Sequence, residues 1–188
     1  MIPGEDACCI LLYGDIGEYS DVTAAAIVRE LMEAEASGKR IDVRINSNGG
    51  DVYTGIAIFN ALRGSKADIH IYVDGIAASM ASVIALCGKP VEMSKYARLM
   101  LHSVSGGCYG NKTELRRCLE EVEALENTLC EMYAPKLGTS VEEIRARYFD
   151  DADHWLKADE ALALGFIDGV YDADPVPEDS TPEQVYRI

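Results

Sequence analysis

The segment IHIYVDGIAASMAS, residues 69–82, decides how the rest of the chain is read. Ile69, Ile71 and Val73 alternate with His70, Tyr72 and Asp74, a period of two that predicts a strand over 69–74. Gly75 predicts a turn, and the small residues after it predict a helix from about Ser79 to Leu86. A strand that feeds a helix through a tight turn leaves free N–H groups and the positive end of the helix dipole at the junction. Ser79 stands where this helix should begin, and Ser82 falls one turn inside it. Two readings of Ser79 are open at this point. It is an N-cap, for which serine is favoured, or a nucleophile, which needs a sharp turn, a base and oxyanion donors. Ser82 is expected to bond back to the helix or to pack.

The same alternation of strand and helix runs outward in both directions. CCILLYGDI (8–16) reads as a buried strand, and residues 20–36 as a helix capped by Ser20 or Asp21 and stopped by Gly38. RIDVRIN (40–46) places Ile41, Val43 and Ile45 on one face. SNGGD (47–51) is a glycine-rich turn into a helix over 52–64. Beyond the opening segment, VEM (91–93) and ARLMLH (97–102) read as strands, and residues 106–110 as a glycine-rich link. A helix over about 113–134 carries an apolar stripe of Leu115, Cys118, Leu119, Val122, Leu125, Leu129, Met132 and Tyr133. Such a stripe either packs on its own domain or serves an interface. Helices at 141–148 and 157–164 precede FIDGVY (166–171). The pattern predicts one layered α/β domain over residues 1–172, followed by an acidic, proline-containing tail over 173–188.

Composition narrows the function. Of 188 residues, 32 are acidic and 17 basic, a net charge of −15. That argues against nucleic acid or an anionic membrane as partner, because both require a cationic surface. No apolar run approaches the roughly 20 residues that span a bilayer. The six cysteines form no C-x-x-C pair and read as reduced, mostly buried thiols of a cytoplasmic protein. No metal or cofactor is expected.

A serine nucleophile would need one of three histidines as base. His70 lies within an alternating strand, and His154 follows the acidic run DDAD beside Trp155. His102 ends a strand, where its ring can project over a sheet edge. Alone it reads as structural; paired with Ser79 it is the best base available.

Four blocks, INSNGGDVYTG (45–55), GIAASMAS (75–82), ARLMLH (97–102) and DHWLKADEALALGFID (153–168), occur in this order. Together they resemble the Clp proteolytic subunit (ClpP) family of serine peptidases over about residues 10–172. The resemblance implies a ClpP/crotonase-like fold of repeated β-β-α units with a projecting handle helix. It implies Ser79 as nucleophile, His102 as general base and Asp153 as orienting carboxylate, with the N–H groups of Gly50 and Met80 as oxyanion hole. It further implies an extended polypeptide substrate between Gly49, Asp51 and Val52 on one side and Ser103, Val104 and Ser105 on the other. A homo-oligomer built on a heptameric ring is implied as well.

Departures from the family pattern bear on the finer reading. Asn48 stands where the family usually has proline, Ser103-Val104 replaces Gln-Pro, and Ala152 replaces an arginine that couples two stacked rings. Stacking into a double ring is therefore expected to be weaker. About seven residues precede the first strand, which argues against the axial-pore segment that engages an AAA+ unfoldase, without excluding such a partner. These features resemble the ClpP-related prophage proteases of head maturation more than the ATP-dependent degradation machines. Two other functions remain: a non-catalytic ring or scaffold protein, and a crotonase-type acyl-CoA enzyme, for which the chain shows no cationic cluster.

Overall fold

A computed structural model describes residues 7–172 and the backbone of residues 2–3. The tail over 173–188 lies outside the described residues. The element order is β1 (Ile2–Pro3), β2 (Ala7–Tyr13), α1 (Ala24–Ser37), β3 (Arg40–Ser47), α2 (Val52–Gly64), β4 (Ile69–Ala78), α3 (Met80–Ala85), β5 (Val91–Ser94), β6 (Arg98–Leu101), α4 (Lys112–Leu137), α5 (Val141–Tyr148), β7 (His154–Lys157), α6 (Ala158–Ala163) and β8 (Gly169–Tyr171). Strands β2, β3, β4, β5 and β8 lie side by side and parallel, the mixed α/β architecture that the alternating pattern predicts.

Periodicity explains the core. Ile41, Val43 and Ile45 of β3, with Ile10 and Leu12 of β2 and Ile69, Ile71 and Val73 of β4, all join one buried cluster with the helices. The opposite face is polar and internally paired. There the Arg44 guanidinium donates to Asp74, which also accepts from the Tyr13 and Tyr171 hydroxyls, while Arg40 pairs with Asp42. Alternation of apolar and charged residues in RIDVRIN thus separates the two faces of the sheet.

The middle strand corrects one expectation. Gly75 does not turn the chain: β4 continues for ten residues to Ala78. Its first half pairs with β5, through Ile71↔Val91 to Val73↔Met93. Its second half pairs with β6, through Ile76↔Arg98 to Ala78↔Met100. One strand thus serves two neighbours in turn along the same side, and the turn is displaced to Ser79. A further strand, β7, is absent from the sequence reading; it lies antiparallel to β6 with Leu101 opposite His154.

Helix α1 starts later than expected. Thr23, not Ser20 or Asp21, is its N-cap, accepting from Ala26 N at 3.2 Å. Residues 15–22 are held as a loop instead, by Val22 N to Asp15 O and Gly17 N to Val22 O. Gly38 ends α1 in the left-handed conformation, as read from the sequence.

Helix α4 is 26 residues long, roughly 39 Å at 1.5 Å per residue. Asn111 and Glu114 form a capping box at its start. Its apolar stripe is not buried throughout: Leu115 is 47% and Leu119 58% exposed, and burial begins at Leu129. The N-terminal half therefore leaves Leu115 and Leu119 open with Cys118 and Val122 half-buried, and the C-terminal half packs on the domain's own core.

Candidate active site

Three parallel strands end at the same place, and the site is assembled from the residues just beyond each of them. After β3 comes the Ser47–Asp51 turn, after β4 comes Ser79, and after β6 comes His102. Carboxyl ends of parallel strands are where open α/β sheets present side chains to a ligand. The fourth component arrives from β7. Because β7 is antiparallel and Leu101 faces His154, the residues just beyond that pair, His102 and Asp153, are brought together.

Ser79 has φ 52° and ψ −125°, a left-handed conformation rare for a residue with a side chain. Such strain persists only where surrounding structure imposes it. Here Ser79 N is tied to Met100 O at 2.9 Å while Ser79 O accepts from Ser82 N at 3.0 Å. The hydroxyl makes no cap bond to α3. Its Oγ lies 2.7 Å from His102 Nε2. The N-cap reading of Ser79 therefore fails on geometry.

Ser82 behaves differently. It is fully buried, donates from Oγ to Ser79 O at 2.6 Å, and lies 2.6 Å from the Tyr133 hydroxyl. Burial pushes the Tyr133 phenol well above its ordinary value, so it is a neutral donor to Ser82. The two hydroxyls fix the first turn of α3 from beneath.

On the other side of His102, Nδ1 lies 3.7 Å from Asp153 Oδ1, an ion-pair contact longer than a hydrogen bond. The Asp153 side chain is 59% exposed. Of two neighbouring acids, the first has its carboxylate engaged elsewhere and the second is tied through its backbone. Asp150 accepts from His154 at 2.7 Å, which holds its carboxyl below the usual range, and Asp151 donates its backbone N–H to Ser103 Oγ at 3.0 Å.

The glycine turn lies against the serine. At Gly49, with φ 96°, a Cβ would sit 2.7 Å from Ala78 O and 2.8 Å from both Met80 N and Ser79 Cβ. At Gly50, with φ 144°, it would sit 2.1 Å from Ile16 O. Only glycine permits this approach. Among the described residues, neither Gly50 N–H nor Met80 N–H has a hydrogen-bond partner. The other segments named from the sequence are partly occupied. Asp51 caps α2 through Oδ1 to Thr54 N at 2.7 Å, and its own N–H goes to Ile16 O. Val104 N donates to Glu126 Oε1 at 3.1 Å. Val52, Ser103, Val104 and Ser105 line the same recess as Ser79 and His102.

That recess has a volume of about 50 Å³, and Val83, Leu129, Tyr133 and Phe149 also line it. The sequence reading does not assign these four to the site. Leu129 and Tyr133 are visible there only as members of the stripe on α4, and nothing local marks Phe149. A larger cleft of about 580 Å³ around Phe59, Met132 and Pro135 shares no residue with the site. Among the described residues, no group of His, Cys, Asp or Glu could hold a metal ion, and no helix is long and apolar enough to cross a membrane.

A hydroxyl on a strained turn, hydrogen-bonded to an imidazole beside a carboxylate, is the arrangement of a serine peptidase. Comparison with known proteins specifies the class further. The family described as Clp protease matches residues 7–174. The ATP-dependent Clp protease proteolytic subunit of Bacteroides fragilis is 32% identical over 157 residues, covering 81% of this chain and 75% of that protein. The ATP-dependent Clp protease proteolytic subunit 1 of Prochlorococcus marinus (strain MIT 9312) is 35% identical over 163 residues, covering 85% and 83%. The chain belongs to the Clp protease family and is a ClpP-type serine peptidase.

Proposed function

We propose that Ser79, His102 and Asp153 carry the peptidase chemistry, with the N–H groups of Gly50 and Met80 as oxyanion hole. The observation that carries this reading is the 2.7 Å contact between Ser79 Oγ and His102 Nε2, made by a serine at φ 52°. Ser79 Oγ attacks the scissile carbonyl carbon as its proton passes to His102 Nε2. The resulting oxyanion accepts hydrogen bonds from Gly50 N and Met80 N, each worth about 2.7–4 kcal/mol of transition-state stabilisation. Collapse expels the amine, which takes the proton from the imidazolium. Water then attacks the acyl-enzyme, giving its proton to His102, and Ser79 is released. Asp153 orients the ring and stabilises its charged form.

The substrate is an extended polypeptide, held mainly through its backbone. With Asp51 N and Val104 N already engaged and Gly50 N given to the oxyanion, the Gly50 carbonyl on one side and Ser103 and Ser105 on the other supply the main-chain partners. The recess floored by Val83, Leu129 and Phe149 takes an apolar side chain next to the cleaved bond.

Subunits assemble into a homo-oligomer on a heptameric ring, with the exposed half of α4 as the handle. Ala152, at the position of the family's ring-coupling arginine, weakens the stacking of two such rings. Cleavage of a fluorogenic peptide ending its acyl half in leucine tests the catalytic reading. Turnover by the native chain that is abolished in Ser79→Ala is the expected result. Undiminished turnover in that variant would overturn it.

A further inference from the structure

Residues 104–110 have no regular secondary structure, and they run alongside α4 in a fixed register. Val104 N donates to Glu126 Oε1 at 3.1 Å. A Cβ on Gly106 would sit 3.8 Å from Val122 Cγ2. The same register sets the Cys108 thiol facing that of Cys118. Gly110 lies against Glu114, whose Oε2 accepts from Asn111 N at 2.7 Å. Partners therefore step by two along the link and by four along the helix, in opposite directions. Two extended residues advance roughly 6.6 Å and four helical residues roughly 6.0 Å, so the two stay in step. The meeting of Cys108 with Cys118 stems from that register and not from a single side-chain rotamer.

The remaining cysteines differ in kind. Cys8, Cys9, Cys87 and Cys130 are buried, and burial pushes the thiols of Cys9, Cys87 and Cys130 up to about 11. Buried, protonated thiols are inert. Cys108 is exposed and Cys118 half-exposed, so this pair is reachable by a small reagent.

We propose that Cys108 and Cys118 form a redox-active dithiol whose disulfide fastens the segment following His102 to the handle helix. The oxidant is a low-molecular-weight disulfide. One cysteine thiolate attacks it, forming a mixed disulfide and releasing one small thiol. The second cysteine then attacks the protein sulfur of that bond and releases the other. Two protein thiols and one small disulfide become one protein disulfide and two small thiols. Contact with Cys118 holds the Cys108 thiol above its ordinary value, so the first step is faster in mildly alkaline solution. The placement of this segment beside the substrate rests on the proposed peptidase function; the dithiol itself does not.

Incubation of the full chain with oxidised glutathione, followed by alkylation in denaturant, tests this. Four of six cysteines should remain alkylatable, with a mass loss of about 2 Da. Trypsin cuts at Lys112, Arg116 and Arg117 between the two cysteines, so the digest should yield two peptides joined by a disulfide between Cys108 and Cys118. Amide hydrogen exchange over 105–110 should slow about tenfold and recover with dithiothreitol. In Cys108→Ser neither the internal bond nor the slowing should occur. Bonds between chains through Cys108, stable glutathione adducts with no internal bond, or an internal bond that leaves exchange unchanged would each overturn the proposal.

Discussion

At the scale of single residues, two serines three positions apart have opposite fates. Ser79 sets its hydroxyl 2.7 Å from His102 Nε2, and Ser82 gives its own to the backbone beneath it. Their order along the chain is legible in the sequence, because only the first can stand at the junction of strand and helix. The cost of that position is not. The φ of 52° at Ser79 is imposed from outside, by Met100 O and the turn at Gly49. We predict that Ser79→Gly is more stable than Ser79→Ala by about 1 kcal/mol, since only glycine tolerates this backbone freely; equal thermal midpoints would contradict the strain. Ser82→Ala should keep peptidase activity yet lose about 1–3 kcal/mol of stability, because it strands the buried Tyr133 hydroxyl. Denaturant titration beside a turnover assay separates the two effects. Asp153→Asn should lower kcat by about a hundredfold or more with the fold intact. A rate near that of the native chain would mean that the 3.7 Å contact does not mature into a catalytic one.

Elements are legible in proportion to their length and burial. Strand β3 and helix α5 are placed to within a residue, since one has strict alternation and the other a serine cap with acids in its first turn. Strand β7 escapes the sequence because HWLK is short, half-exposed and preceded by an acidic run. The omission matters, for the register of β7 with β6 is what sets Asp153 beside His102. Gly75 misleads for a related reason: a glycine inside a strand looks like a turn until the neighbouring strands are known. Here a Cβ at that position would lie 2.6 Å from Asn46 Oδ1, so the glycine leaves room for the Asn46 side chain of the neighbouring strand. At the Gly49 turn we predict that alanine both destabilises the chain and reduces activity at least a hundredfold, since the clash falls on backbone atoms of Ala78 and Met80. Retained activity in Gly49→Ala would show that the turn moves freely relative to Ser79.

Across the whole molecule, the sequence blocks point to the fold because the segments that carry the site meet at the same edge of the sheet. Charge is equally legible, whereas the partition of α4 into buried and open halves is not: its stripe continues unbroken from Leu115 to Tyr133. The open half motivates the assembly. We predict a ring of about 140 kDa from chains of 20.5 kDa, with higher stacking weakened in Leu119→Glu; light scattering that finds only monomer across concentration would contradict it. The central claim is that this molecule works through one nucleophile, Ser79, activated by His102. Covalent labelling by a fluorophosphonate, read by intact mass and peptide mapping, tests it most directly. The account predicts a single adduct on Ser79 that persists in Ser82→Ala and is lost in Ser79→Ala and His102→Ala. An adduct on Ser82, or labelling undiminished in Ser79→Ala, would contradict it.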